Sequence, residues 1–189
     1  KTKLLNKLQS LDYQTLDFES LANHRGSSFG GLGMEEQPTN EQYENLIAED
    51  LDKFHKNKFI FVEAESPSIG KNRIPHKLYS QMKNSKRIEI IRDETIRIKE
   101  LINTYSKYHK NDLKESVLKI SKRLGPQRTN SAIVSIDNED WENVCKSVLD
   151  YYDKCYDYEL KEKEDVKILD MEFRTDNEII NEIIKAISI

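Results

Sequence analysis

"KFIFVEAES", residues 58–66, is the stretch on which the fold turns. Phe59, Ile60, Phe61 and Val62 form an unbroken apolar run, and Glu63 and Glu65 close it. A short aromatic and β-branched run with no polar alternation predicts a buried strand of a parallel sheet. Open parallel sheets bind ligands at the carboxyl ends of their strands, so these two acids stand where chemistry is expected.

Working outward, the flanking segments alternate between helix and strand patterns. Leu4, Leu5, Leu8 and Leu11 fall at helical spacing, predicting a helix over 2–10, and "YQTLDF" (13–18) predicts a short strand. Residues 38–56 carry Pro, Asn and Glu start signals, with Tyr43, Leu46, Ile47, Leu51 and Phe54 on one side of a helix. A short helix over 75–83 and a strand "RIEII" (87–91) follow. From about 94 to 155 the pattern is helical, interrupted near "LGPQRT" (124–129). "VKILD" (166–170) predicts a last strand, and 177–187 a closing amphipathic helix. The expected class is α/β: one P-loop NTPase-like domain over 1–189, its mostly parallel sheet flanked by helices. A helical insertion, or subdomain, occupies about 94–160.

Composition narrows the setting. With 189 residues, 34% of them charged, the chain is long enough for one well-cored domain. No apolar run approaches the roughly 18 residues of a membrane span, and no signal peptide is visible. Only two cysteines, Cys145 and Cys155, are present, which suits a reducing cytoplasm better than a disulfide scaffold. The sequence opens on Lys1 and not on methionine, so a domain truncated at its N-terminus is expected.

The net charge of −4 conceals a strong segregation. Residues 1–70 carry 7 Lys/Arg against 12 Asp/Glu, residues 71–128 carry 16 against 6, and residues 129–189 carry 7 against 16. The central block, net +10, is a candidate surface for phosphate groups. Solvated helix faces rich in lysine account for such a block equally well.

Three polar clusters sit at predicted strand or helix ends. Lys1-Thr2 opens the first helix as the last two residues of a G-x-x-x-x-G-K-T phosphate loop do. In that arrangement the lysine reaches phosphates and the threonine hydroxyl serves Mg²⁺. Glu63 or Glu65 at the end of the apolar strand would hold Mg²⁺ or orient a nucleophile. Asp17 and Glu19 follow the preceding strand, where Asp17 is either a Mg²⁺ candidate or a cap for the next turn. Between them and the 38–56 helix lies "LANHRGSSFGGLG" (21–33), which holds four of the six glycines of the chain. His24, Arg25, Gly26, Ser27 and Ser28 bring cationic, hydroxyl and backbone N–H groups together, the ingredients of an anion-binding loop. His55, His76 and His109 lack ligand spacing, so no zinc-type site is expected. Trp141, Tyr151, Tyr152, Tyr156 and Tyr158 read as core and hydroxyl-bonded interface rather than base-stacking platforms.

"DFESLANHRGSSFGGLG", "VEAESPSIGKNRIPHKLY", "RLGPQRT" and "VLDYYDKCYDYEL" resemble, in that order, the tRNA 2-selenouridine synthase family, over residues 1 to about 160. The resemblance implies a P-loop domain normally joined to a rhodanese-like domain or subunit that carries the reactive cysteine. It implies an enzyme that replaces sulfur by selenium at C2 of wobble 2-thiouridine in tRNA. Selenophosphate is then the selenium donor, and geranyl diphosphate gives an S-geranyl intermediate. Lys1, Thr2 and Arg25, with Mg²⁺ near Glu63 or Glu65, would face the phosphate groups of either donor. Lys71, Arg73, Lys122, Arg123 and Arg128 would meet the tRNA around its anticodon loop. Neither the rhodanese-like domain nor the loop glycines before Lys1 are in the sequence, and Cys145 and Cys155 do not replace the rhodanese cysteine. Two rivals share these features: a P-loop small-molecule or nucleoside kinase, marked by ATP turnover without tRNA, and a non-catalytic tRNA-binding module, marked by salt-dependent affinity without base modification.

Overall fold

The computed structural model of the chain describes residues 1–161 and 166–187, with side chains at 156–161 excepted. In chain order the elements are α1 (Thr2–Ser10), β1 (Gln14–Leu16), α2 (Phe18–Leu21), α3 (Asn40–Asp52), β2 (Ile60–Val62), β3 (Ser68–Ile69), β4 (Asn72–Arg73) and α4 (His76–Lys83). Then come β5 (Arg87–Ile91), α5 (Glu94–Tyr105), α6 (Lys110–Lys119), α7 (Ser121–Leu124), α8 (Pro126–Asp137), α9 (Trp141–Lys161), β6 (Val166–Asp170) and α10 (Asp176–Ile187). The chain divides into two compact units, one of Lys1–Arg87 with Arg174–Ile189, the other of Ile88–Phe173.

In the first unit β1 and β2 pair in parallel, Gln14 opposite Ile60, Thr15 opposite Phe61 and Leu16 opposite Val62. That register puts Asp17 and Glu63, the next residues of the two chains, at the same carboxyl edge. The core beneath consists of Leu16, Phe18, Ala22, Tyr43, Ile47, Ile69 and Ile74. Tyr43 and Ile47 come from the inner face of α3, whose first turn is capped by the Thr39 hydroxyl accepting from Gln42 N–H. Leu4, Leu5 and Leu8 of α1 are buried, as are Ile179, Ile180 and Ile183 of α10, which packs against α1.

The second unit holds β5 paired with β6 and the five helices between them. Ile98, Leu113, Val117, Leu124, Ala132, Ile136, Val144, Val148, Leu149, Leu169 and Met171 are its buried apolar residues among those described. Gly125, at φ +87°, is the break sensed in "LGPQRT", and Pro126 restarts the helix at its first position, where a missing N–H is harmless.

Several expectations change in detail. The α/β class holds, but among the described residues the strands form three two-stranded ladders in place of a single continuous sheet. The strand expected over 13–18 stops at Leu16, because Asp17 accepts from Ser20 N–H and caps α2. The run 58–66 yields only three strand residues, and Phe59 and Ile60 are 68% and 39% exposed, so its start is not buried. The β3–β4 hairpin, antiparallel, occupies "SIGKNR", a stretch with no predicted element. Tyr156 and Tyr158 lie outside the described side chains.

Candidate functional site

Three segments far apart in sequence converge on the start of α1. The Thr2 hydroxyl donates to Glu63 Oε1 at 2.7 Å and lies 3.2 Å from Glu19 Oε2. Lys1 Nζ forms an ion pair with Glu65 Oε1 and sits 3.4 Å from Glu19 Oε1. One carboxylate oxygen from each of Glu19, Glu63 and Glu65 lies within 4.8 Å of the others. Glu19 reaches the cluster because Asp17 caps the short helix α2 and thereby fixes the next turn. Glu65 follows Glu63 through a tight turn in which Glu65 N–H donates to Glu63 C=O at 2.9 Å.

Glu63 is 4% exposed, and its second oxygen, Oε2, is buried without a hydrogen-bond partner. Burial raises its proton affinity above the ordinary carboxylate range, Lys1 opposes that rise, and Glu19 adds to it. A buried carboxylate oxygen left unsatisfied normally costs free energy, which makes it a place for a cation or a proton. The donor set is all oxygen, three carboxylates and a hydroxyl, and suits a hard divalent ion such as Mg²⁺.

The glycine-rich loop lies directly over this cluster. A Cβ on Gly26, which has φ +70°, would stand 2.7 Å from Glu65 Oε2 and 2.9 Å from Glu19 Oε1. Only glycine permits that approach. The loop is closed on itself more tightly than an open anion cradle would be. Arg25 N–H donates to Gly30 C=O, Ser27 N–H to Arg25 C=O, Gly30 N–H to Ser27 C=O, and Gly26 N–H to His24 Nδ1. The Ser27 hydroxyl accepts from Phe29 N–H, and Arg25 Nη1 donates to Leu32 C=O at 2.8 Å. The capacity this loop retains for an anion therefore lies in side chains, the rest of the Arg25 guanidinium foremost, and not in the N–H groups of 25–27. Ser28 is half-buried in the same turn.

Asp17 belongs to the carboxyl edge but spends an oxygen on its cap, and it lies outside the three-carboxylate cluster. Glu19, weighed in the sequence only beside Asp17, takes its place. Lys71 and Arg73 stand on the hairpin of the first unit, Lys71 beside Glu36 at 3.5 Å. Lys122, Arg123 and Arg128 belong to the second unit, where Arg123 donates to the Tyr151 hydroxyl at 3.4 Å and Arg128 pairs with Asp150. Cys145 is half-buried, and burial pushes its thiol up to about 11, which leaves it protonated and unreactive at neutral pH.

Two residues that sequence reading missed hold the site's walls. The Gln37 amide lies within hydrogen-bond reach of Ala22 C=O, Ile69 C=O and Asn72 Oδ1 at 2.8–3.0 Å, and its oxygen accepts from Lys71 N–H at 2.9 Å. Asn72, fully buried, donates to Pro38 C=O at 3.0 Å. Nothing in a lone Gln before a Pro announces this role. The glycine at position 70 is the nearest signal, since a Cβ there would meet Gln37 Oε1 and His24.

Residues 1–187 match the family model described as the tRNA 2-selenouridine synthase AAA domain. A tRNA 2-selenouridine synthase of Sulfurovum sp. (strain NBC37-1) is 32% identical over 191 residues, covering 85% of this chain and 51% of that protein. Synthases of Shewanella frigidimarina and Shewanella woodyi are 29% and 31% identical, each covering 80% of this chain and 50% of theirs. The chain thus spans about half the length of the curated relatives it matches. No solved structure matches it. No helix among the described residues is long and apolar enough to cross a membrane.

Proposed function

The chain belongs to the tRNA 2-selenouridine synthase family, whose AAA-type P-loop domain it carries, and on that premise we propose that it is the phosphate-handling part of a cytoplasmic transferase that exchanges sulfur for selenium in tRNA. The observation that carries this reading is the meeting of Lys1-Thr2 with Glu63 and Glu65 across more than sixty positions of sequence. A phosphate loop's closing Lys-Thr pair and a strand-end carboxylate stand together where a diphosphate and its counter-ion belong.

The substrate is wobble 2-thiouridine in the anticodon loop of tRNA, an unpaired region in which C2 is reachable. Its sulfur attacks C1 of geranyl diphosphate, the C–O bond breaks and diphosphate leaves. The selenium of selenophosphate then attacks C2 and expels the sulfur as geranylthiol, and water cleaves the remaining Se–P bond to release phosphate and leave 2-selenouridine. Charge gathers on the diphosphate as the prenyl group leaves it and on the phosphate as the Se–P bond is cleaved, and Lys1 and Arg25 would stabilise both. Thr2, Glu63, Glu19 and Glu65 would hold Mg²⁺, which supplies further charge neutralisation when bound. Glu63 holds Thr2 in place through its Oε1, and Gly26 brings the Arg25 loop over the carboxylates. A rhodanese-like domain or subunit contributes the reactive cysteine, and Lys71, Arg73, Lys122, Arg123 and Arg128 face the tRNA.

The test is mass spectrometry of digested 2-thiouridine tRNA after incubation with the chain, a rhodanese-like partner domain, geranyl diphosphate and selenophosphate. S-geranyl-2-thiouridine and 2-selenouridine are expected, with conversion falling at least ~100-fold in Arg25→Ala and in Thr2→Val. Unchanged conversion in both variants overturns the site assignment.

A further inference from the structure

Between Ser116 and Ile136 the sequence contains no acidic residue and four cations, Lys119, Lys122, Arg123 and Arg128, in a chain whose net charge is −4. Within this stretch α7, Gly125 and the first turns of α8 line an open groove of about 460 Å³ in the second unit. That volume falls in the range of about 300–1,000 Å³ usual for small-molecule-sized sites. Pro126 and Ile133 give the groove apolar surface, Thr129 and Asn130 give it polar groups, and Lys122 stands at its side. The four cations are not equivalent. Arg128 is held by Asp150 and Arg123 by the Tyr151 hydroxyl, while Lys119 and Lys122 are exposed and have no carboxylate partner among the described residues. The Asn130 amide, also exposed, is likewise unpartnered among those residues.

We infer that this groove seats an unpaired nucleotide of the RNA substrate, its base on Pro126 and Ile133, its edge met by Asn130, and its phosphate by Lys122. The inference rests on the proposed reading of tRNA as substrate and deepens it by naming where, and in what conformation, the RNA is held. An apolar surface beside an uncommitted lysine, Lys122, is complementary to a ligand that is flat and apolar on one side and anionic on the other. A splayed nucleotide has both features, whereas in a duplex the bases are stacked and their edges paired. The amide of asparagine supplies both a donor and an acceptor for a base edge. Because Arg123 and Arg128 are tied to α9, they stiffen the groove, and the loss of Lys122 removes phosphate attraction without loosening the helices.

The test is fluorescence anisotropy of the chain with a labelled unpaired RNA, the same sequence as a duplex, a whole tRNA, and a labelled poly-glutamate peptide. The unpaired RNA is expected to bind at least ~10-fold tighter than the duplex. Lys122→Ala should weaken it ~3- to 10-fold and lower the slope of log K against log salt by about 0.7, the value for one phosphate contact on a single strand. Asn130→Ala should weaken it without changing the slope, and Ile133→Asp should abolish it. The exposed Lys122→Glu variant gives the same loss should Ile133→Asp fail to fold. Tighter duplex binding, wild-type RNA affinity in Lys122→Glu, or poly-glutamate binding with the same dependence on Lys122 each overturns the groove assignment. Wild-type tRNA affinity in these variants defeats the groove and leaves the tRNA reading standing, whereas a wild-type chain that binds no tRNA defeats both.

Discussion

Thr2 Oγ1 donates to Glu63 Oε1 at 2.7 Å, while the other oxygen of the same carboxylate is buried with no partner at all. One half of Glu63 is thus used to position the start of α1, and the other half is held ready for something else. That asymmetry gives the protein a pH signature. Burial raises the affinity of Glu63 for a proton in the folded state above that of the unfolded chain. Where the native state holds the proton more tightly, stability is full below the unfolded value and falls as pH rises through the folded one. Glu63→Gln removes the charge that burial penalises. At neutral pH the variant should be more stable by about 1 kcal/mol, read as a rise in Tm of ~2–4 °C. Melts repeated toward pH 4 should show the gap closing, and a gap independent of pH would refute the assignment of the buried charge.

The same carboxylate cluster should respond to divalent cations. Mg²⁺ or Mn²⁺ at a hundredfold excess over its dissociation constant should stabilise the chain by about 2.7 kcal/mol. Protons compete for Glu63, whose proton affinity burial raises, so the stabilisation should grow as pH rises above the ordinary carboxylate range. Glu19→Gln and Glu65→Gln should each weaken it, and Asp17→Asn, which keeps an oxygen for the cap of α2, should not. An identical cation response in all three variants would place the ion elsewhere.

Gly26→Ala isolates the contact between loop and cluster. The positive φ alone costs a non-glycine residue about 1 kcal/mol. The new methyl group would also press on Glu65 Oε2 and Glu19 Oε1, so those side chains must move. The expected result is a modest loss of Tm with a disproportionate loss of the cation response. A variant that loses Tm while keeping the cation response would show the loop to be only a backbone device.

These sites were unequally legible in the sequence. The strand-end acids and the Lys-Thr pair could be read because each is a local signal, an apolar run ended by charge or two residue types at a helix start. The α3 helix and its inner residues Tyr43 and Ile47 followed from periodicity for the same reason. Asp17 was open to two roles, and only the register of β1 with β2 and the cap of α2 assign it to the cap and Glu19 to the cluster. The loop's N–H groups looked available because glycine content reports freedom of backbone, not the turns that use that freedom up. Gln37 and Asn72 were invisible: their bonds span 32 residues or more to the hairpin or join it to a loop, and neither residue type nor spacing encodes such a partner.

Gln37 is where that blindness can be tested. Its amide joins the end of α2, through Ala22 C=O, to both strands of the β3–β4 hairpin, through Ile69 C=O and the Asn72 side chain. Those two segments follow Glu19 and Glu65, so the amide ties together the walls of the carboxylate cluster. Gln37→Ala removes the two amide protons that Asn72 Oδ1, Ala22 C=O and Ile69 C=O share, at a cost of about 2–4 kcal/mol. Gln37→Glu should cost at least as much, because a carboxylate accepts hydrogen bonds and cannot donate the ones lost. Asn72→Ala breaks a member of the same network, so the double variant should be less destabilised than the two single losses combined, by at least ~0.5 kcal/mol. Amide exchange at Lys71, whose N–H donates to Gln37, should accelerate in Gln37→Ala while exchange in α9 is unchanged. Strict additivity of the two substitutions, with Lys71 exchange at its wild-type rate, would show that Gln37 packs beside the hairpin without holding it.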